Sequence, residues 1–188
     1  MGLDMYAVRR LNVRNWEELP AEKRFAVTAE FGGDPIPGFD PDQITAIEKD
    51  VMQWRKANHI HGWFVDHVQD GNDDCGRYLV YWEQLAALFS ACQKVIGASE
   101  LVEGMVHAGI VYDTEHPDGL AKREAGKVIK DDTVAKELLP TREGIFFGCE
   151  EYDECYLLDV IDTRDWLKRM FDERDAGVPG EIYYSSSW

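Results

Sequence analysis

The sequence predicts an α+β fold, with a mainly antiparallel sheet packed by two long helices and one shorter helix. The chain has 188 residues, which is the length of one domain. Two long stretches carry apolar residues at helical spacing, and both chain ends read as extended segments. Because the predicted strands and helices do not alternate strictly, this class is favoured over a doubly wound sheet. We therefore expect residues 1–188 to form a single domain, with an inserted excursion at residues 98–135.

The first long helix is predicted over residues 41–69, after a strand at residues 3–8. Asp40 is a suitable N-cap, Pro41 suits the first helical position, and Gln43 can reach back as in a capping box. One face of this helix then follows spacings of three and four residues in alternation. The residues on this face are Ile44, Ile47, Val51, Trp54, Asn58, His61, Val65 and Val68.

A short strand at residues 77–81 and the shorter helix at residues 82–96 follow. Apolar residues recur in this helix at intervals of three and four, and Gly97 can end it. The pattern weakens within the predicted excursion, where a turn with the residues His-Pro-Asp-Gly separates two strands. The two strands and the turn are predicted at residues 105–112, 127–130 and 116–119.

The last third of the chain predicts a buried strand, the second long helix and an extended end. Residues 144–148 form a short apolar run between glycines, which is typical of a buried strand. Residues 150–174 have a wide apolar face at helical spacing. Residues 181–188 are rich in tyrosine, and we expect them to pair or pack with residues 3–8 because loose aromatic edges are usually avoided.

Composition restricts the partners that the protein can have. The chain has 36 acidic and 20 basic residues, a formal net charge of −16. This charge opposes direct DNA or RNA binding, which requires cations against the phosphates. It suits docking onto a basic protein surface, although solubility alone also explains it. No segment has the layout of a signal peptide or the length of a membrane span, so we expect a cytoplasmic protein without membrane contact.

The cysteines and glycines carry no catalytic or cofactor signature. Cys75, Cys92, Cys149 and Cys155 form no C-x-x-C pair, which indicates free thiols in a reducing cytoplasm. No local signature supports a cysteine–histidine dyad, and neither a Walker loop nor a G-x-G-x-x-G motif occurs. We therefore expect no catalytic residue, no metal and no cofactor.

Polar residues on the first long helix are the candidate ligand-binding site. His59 and His61 point about 200° apart on a helix, so one metal cannot bind both from one face. Asn58 and His61 lie on the apolar face, and burying them requires hydrogen-bond partners. The two interpretations are a buried structural network and the polar floor of a pocket lined by Arg55, Asn58 and His61.

Acidic residues cluster where the second long helix is predicted to begin. Carboxylates at Glu150, Glu151, Asp153 and Glu154 can act as acid and base or bind a hard cation. They also stabilise the positive end of the helix dipole, which is the simpler interpretation. Together with Trp188, whose terminal position indicates a docked chain end, they are the candidate interaction surface.

Several segments resemble one family of proteins. They are Met-Gly-Leu-Asp-Met-Tyr at residues 1–6, Trp-Arg-Lys-Ala-Asn at 54–58 with Ile-His at 60–61 and Trp-Phe at 63–64, Leu-Leu-Pro-Thr at 138–141, the run at 144–148, and Glu-Tyr-Asp-Glu at 151–154. In these residues the chain resembles a family of uncharacterised proteins common in bacteriophages and prophage regions. Tyr81, Cys149 and Glu150 depart from its pattern. The resemblance implies a phage accessory gene in a host bacterium and carries no activity.

Three function classes follow, from different observations. The favoured one is a non-catalytic phage accessory protein that binds a host or phage protein, such as an acidic inhibitor of a defence or nucleic-acid-handling factor. The second is a module that binds a small ligand or nucleotide through Arg55, Asn58 and His61. The third is a metal-dependent hydrolase using His61 and Asp153. The sequence leaves a homo-oligomer open.

Overall fold

The computed structural model describes residues 2–111, 119–144 and 147–188 and shows an α+β fold. Eight strands and four α-helices are assigned within these residues. The strands are β1 (Asp4–Asn12), β2 (Glu30–Phe31), β3 (Asp34–Pro35), β4 (Ala46–Arg55), β5 (Arg77–Val80), β6 (Leu101–Val111), β7 (Leu120–Ile129) and β8 (Glu181–Ser187). The helices are α1 (Asn58–His67), α2 (Trp82–Ala98), α3 (Thr133–Leu138) and α4 (Glu154–Asp175).

The main sheet is antiparallel and joins the two ends of the chain. Its strand order is β4-β1-β8-β5, so the N-terminal and C-terminal strands occupy its centre. Met5 pairs with Ser186 and Val8 with Tyr183 along β1 and β8. The predicted pairing of the chain ends is therefore confirmed.

Helices α1, α2 and α4 enclose the core against this sheet. Trp54 of β4 contacts Trp166 of α4 edge to face, with ring centroids 5.1 Å apart. Phe64 of α1 stacks on Tyr184 of β8 at 3.9 Å. The Trp54 indole also donates a hydrogen bond to the Thr163 hydroxyl at 2.8 Å, which satisfies the polar edge of a buried ring. The predicted helix at residues 82–96 is confirmed as α2, and the one predicted at 150–174 is confirmed as α4, although it begins at Glu154 and residues 150–153 precede it.

The predicted helix over residues 41–69 is wrong in its first half. Asp40 does accept hydrogen bonds from the Asp42 backbone and the Gln43 side chain, but the helix that it caps is a single 3-10 turn. The chain then extends as β4, because the main chain of residues 46–55 pairs with β1. Ile47, which the helical spacing placed inward, is 45% exposed. Only the second half, α1, is helical.

The predicted excursion at residues 98–135 contains a hairpin and ends within a short helix. Strands β6 and β7 form a separate two-stranded sheet, and α3 follows it. The predicted turn lies mostly outside the described residues. A strand predicted at residues 144–148 is not found in its described part, since Gly144, Phe147 and Gly148 have no strand pairing. Its other two residues lie outside the described part.

The state of the cysteines and the length of the helices were also predicted from the sequence. All four cysteines are free, and Cys92 is fully buried on α2. No helix in the described part of the chain is both long enough and apolar enough to cross a membrane.

Candidate functional site

A polar pocket lies between the β4–α1 corner and the start of α4. Its volume is about 230 Å³, and both basic and acidic side chains face it together with two thiols. The lining residues are Arg55, Lys56, His59, Gly148, Cys149, Glu151, Asp153, Cys155, Tyr156 and Asp159.

The corner that forms one wall of the pocket has a strained backbone. Lys56 has a φ of 62°, a left-handed conformation that is uncommon for a residue with a side chain. Gly148 approaches it so closely that an added Cβ would lie 2.9 Å from the Lys56 Cβ and 3.0 Å from its carbonyl oxygen. Only glycine fits there, which explains the tight contact between this corner and the loop before α4. Strained residues of this kind concentrate at functional sites.

Asn58 joins α1 to the loop that carries Cys149. Its side-chain amide donates hydrogen bonds to the carbonyl oxygens of Phe147 at 3.3 Å and Cys149 at 2.9 Å. Its carbonyl oxygen accepts a hydrogen bond from the Arg142 backbone at 3.0 Å. With three bonds made and 1% of its surface exposed, Asn58 is a satisfied structural residue behind the pocket.

His59 lines the pocket and is incompletely hydrogen-bonded. Its ring lies 4.2 Å from the Tyr156 ring, and the residue is 3% exposed. Its Nε2 has no hydrogen-bond partner among the described residues. Burial lowers the pKa of His59 to about 3, so the imidazole is neutral at pH 7. A neutral, unpartnered ring nitrogen is a free donor or acceptor, depending on its tautomer.

Three side chains of the loop and the helix start converge on one point of the pocket. The Cys149 sulfur and carboxylate oxygens of Glu151 and Asp153 all lie within 4.8 Å of one another. Burial is the main cause that raises the pKa of the Cys149 thiol, and the carboxylates of Glu151 and Asp153 raise it further. A thiol and two carboxylates in this arrangement can bind a metal ion.

Asp159 adds a carboxyl group with altered acidity to the pocket. It lies one turn along α4 from the helix start and is half-buried. Burial raises the pKa of Asp159 to about 7, and repulsion by Asp162 and Asp153 contributes. The group is therefore partly protonated at neutral pH, which is unusual for an aspartate.

A second polar cluster is centred on the buried His61, and its members do not line this pocket. His61 Nδ1 lies 2.7 Å from the Tyr184 hydroxyl, and its Nε2 lies 2.9 Å from Asp73. The Trp188 indole donates a hydrogen bond to the other Asp73 oxygen at 3.1 Å. His61 is 1% exposed, so the prediction that it is buried and hydrogen-bonded is confirmed.

The residues predicted to bind a ligand do not share one pocket. Arg55 lines the pocket described above and pairs with Asp4 at 3.0 Å. Asn58 is buried behind this pocket with its side chain bonded to backbone groups, and His61 is buried in the second cluster, so neither joins Arg55 in the pocket lining. His59 takes the place that was expected for them. Helical spacing predicted that His59 lies outside the apolar face of the helix. In the structure α4 packs against His59 as well, so this side of α1 is also buried.

The residues predicted as an interaction surface are also divided. Glu151 and Asp153 line the pocket. Glu154 forms an ion pair with Lys127, with its Oε1 3.6 Å from the Lys127 Nζ. Glu150 is exposed without joining the pocket lining. Trp188 is 52% exposed, so the terminal tryptophan is only partly covered.

An exposed surface that the sequence did not indicate lies between β1 and β4. Every residue of the 14–45 segment is described, and none of them is buried. The segment nevertheless displays large apolar side chains: Trp16 is 53% exposed, Phe25 41%, Phe31 85% and Ile36 44%. A cleft of about 500 Å³ opens between Trp16 and Phe25.

Comparisons of the chain with protein-family models, curated proteins and solved structures found no match.

Proposed function

We propose that this chain is a non-catalytic phage accessory protein that binds a basic protein surface through the 14–45 segment. One observation carries the proposal: this segment contains no buried residue and still presents four large apolar side chains to solvent. Isolated exposed apolar residues are ordinary on protein surfaces. Several of them on one segment that contributes nothing to the core mark an interaction site.

Internal hydrogen bonds hold the 14–45 segment in shape. The Asn15 side chain donates to the Phe25 carbonyl and accepts from its backbone amide, both at 2.8 Å. The Arg24 guanidinium donates to the carbonyl oxygens of Leu19 at 2.9 Å and Glu17 at 3.0 Å. These bonds order Trp16 and Phe25 before a partner arrives, which reduces the entropy lost on binding.

The aromatic residues provide the anchors that a protein interface needs. Tryptophan and other large aromatic residues are enriched among the residues that dominate binding energy. Phe31 is the most exposed of the large apolar side chains and is the last residue of β2, before the turn at Gly32 and Gly33. Burying a side chain of this kind stabilises a complex by about 1.5–3 kcal/mol. Phe31 and Trp16 are therefore the proposed anchors.

Charge supports a basic partner. The 14–45 segment has seven acidic and three basic residues, and the whole chain has a net charge of −16. Opposite potentials accelerate association and disfavour acidic competitors. The same charge disfavours direct contact with DNA or RNA. Together with the resemblance to phage proteins, this supports a defence or nucleic-acid-handling factor as the partner, because such factors present basic surfaces.

The experiment is affinity capture from host cells with three forms of the immobilised chain. The forms are the unchanged chain, the double variant Trp16→Ala/Phe31→Ser, and the control Leu158→Ser. Leu158 is 51% exposed on α4, so the control removes a comparable apolar side chain outside the segment. We expect one or more basic proteins on the unchanged chain and the control but not on the double variant.

Salt provides the second arm of this experiment. Because exposed charges are screened beyond about 8–10 Å at physiological ionic strength, retention of the partner should fall as salt rises. Equal capture by all three forms would contradict the assignment to the 14–45 segment. Retention that does not change with salt would contradict the basic character of the partner.

A further inference from the structure

We propose that the pocket beside α4 is a site for a divalent transition-metal ion, with Cys149, Glu151 and Asp153 as its protein ligands and His59 as the neighbouring nitrogen donor. The proposal is independent of the protein-binding role of the 14–45 segment. It rests on two separate observations: the convergence of the three donor atoms, and the buried, unpartnered imidazole on the same pocket.

The separation of the donor atoms is close to that of a metal site. Zinc binds sulfur at about 2.3 Å and carboxylate oxygen at about 2.1 Å, which places tetrahedral ligand atoms about 3.6 Å apart. The donor atoms of Cys149, Glu151 and Asp153 lie within 4.8 Å of one another. Side-chain rotations that move the donor atoms about 1 Å closer together would let all three bind one ion. Because they follow one another at every second residue, a single extended loop presents all three.

Hydrogen bonds outside the donor set orient the carboxylates. The Glu151 oxygens accept from the Arg123 guanidinium at 2.6 Å and from the His107 backbone at 2.8 Å. One Asp153 oxygen accepts from the Tyr156 backbone at 2.9 Å, and no other hydrogen bond to this carboxylate occurs within the described residues. Ligating carboxylates in metal sites are commonly held by such outer bonds. Asp153 therefore has an oxygen free for an ion.

His59 is the feature that helix capping does not explain. Acidic residues at a helix start stabilise the helix dipole without any ligand, and this accounts for Asp153 and Glu154. It gives no reason for a 97% buried imidazole with an unpartnered nitrogen on the same pocket. Rotation of the ring about its Cβ–Cγ bond exchanges the positions of its nitrogens and carbons, which changes the ring atom that faces the pocket.

The donor types select the class of ion. A thiolate and an imidazole favour zinc and similar ions, whereas magnesium and calcium take oxygen ligands alone. Three anionic ligands exceed the charge of a divalent ion by one. Lys56 lines the same pocket and supplies compensating positive charge.

The test is titration of the full chain with Co²⁺ and Zn²⁺ in the presence of a reductant that is not a thiol. Thiolate-bound cobalt absorbs in the near ultraviolet, so the spectrum reports the Cys149 bond directly. We expect one equivalent to bind with that absorption, and zinc to displace the cobalt. Cys149→Ser should abolish the absorption and weaken zinc binding by at least about tenfold.

Matched variants separate the site from the general acidity of the chain. Asp153→Asn keeps an amino acid that caps helices well but removes the charge, and should weaken zinc binding at least about tenfold. His59→Ala should weaken it while the cobalt absorption persists, because the thiolate remains. Cys155→Ser and Glu154→Gln change neighbouring groups outside the donor set and should leave affinity within about twofold.

Three results would overturn the proposal. They are no stoichiometric binding of either ion by the unchanged chain at micromolar concentration, equal binding by Cys149→Ser, and a loss in Cys155→Ser as large as that in Cys149→Ser. Circular dichroism of every variant confirms that its helices remain, so that weakened binding is not mistaken for unfolding.

Discussion

The buried contact between Tyr184 and His61 provides a sharp test of the packing at the centre of the sheet. Both side chains are at most 1% exposed, and the hydroxyl oxygen lies 2.7 Å from Nδ1. The Asp73 carboxylate only accepts hydrogen bonds, so in the tautomer whose Nε2 donates to Asp73 the Nδ1 accepts from the tyrosine hydroxyl. The change Tyr184→Phe removes the donor and leaves a buried nitrogen without a partner. Such a loss destabilises the folded state by about 1–3 kcal/mol.

The neighbouring tyrosine in the same strand is the control. The Tyr183 hydroxyl donates to the exposed Glu181 at 3.0 Å, so Tyr183→Phe should change the free energy of unfolding by no more than about 0.5 kcal/mol. In a chain of this size, Tyr184→Phe should lower Tm by roughly 2–4 °C for each kcal/mol. Chemical denaturation monitored by tryptophan fluorescence gives both free energies.

A double-mutant cycle isolates the hydrogen bond. In the background of His61→Leu the nitrogen is already absent, so Tyr184→Phe should cost less there, with a coupling energy of about 1 kcal/mol or more. Equal effects of Tyr184→Phe in both backgrounds, or equal effects of Tyr183→Phe and Tyr184→Phe, would refute the reasoning.

Three further predictions follow from the same structure. Deleting residues 182–188 removes the strand between β1 and β5, so circular dichroism should show no cooperative thermal transition. Burial raises the pKa of Asp159 to about 7, so the free energy of unfolding falls as pH rises from the ordinary aspartate pKa to about 7, by at most about 4 kcal/mol. Asp159→Asn removes this loss, and urea denaturation should therefore show that it stabilises the chain at pH 8 but not at pH 4. The lowered pKa of His59, about 3, has the opposite effect on stability, because below pH 6.5 the unfolded chain binds a proton that the folded chain does not. The free energy of unfolding should therefore fall from pH 6.5 to pH 4, and it should fall less steeply in His59→Gln.

The parts of the fold that sequence reasoning predicted correctly are those in which local signals and burial agree. In α2 and α4 the apolar spacing coincides with the buried positions, such as Leu85, Leu88, Val160 and Leu167. The pairing of the chain ends was also predictable, because both ends have an extended pattern and proteins usually avoid loose aromatic edges.

The false helix at residues 41–57 shows how local signals fail. The capping residues at its start were read correctly, but a cap signals only the first turn. Ile47 and Val51 matched helical spacing by coincidence, and both are β-branched residues that suit a strand. Pairing with β1 decided the outcome, and that partner is too distant in sequence for a local pattern to show it.

The candidate pocket could be predicted only in part. Acidic residues at the start of α4 were evident, as was Arg55. Their meeting with His59 depends on the corner at Lys56 and on the loop held by Asn58, which are tertiary contacts. The exposure of the 14–45 segment could not be predicted either, because Trp16 and Phe31 are residue types that are usually buried in a core.

The binding of a basic protein by the 14–45 segment is tested most directly by the affinity of a captured partner for single-residue variants. Biolayer interferometry would compare the unchanged chain with Phe31→Ser and with the control Leu158→Ser. Phe31→Ser should weaken binding by roughly tenfold or more, as expected for an anchor residue that contributes more than about 1.4 kcal/mol, whereas the control should stay within about twofold. Equal affinity of the unchanged chain and Phe31→Ser would contradict the proposed interface.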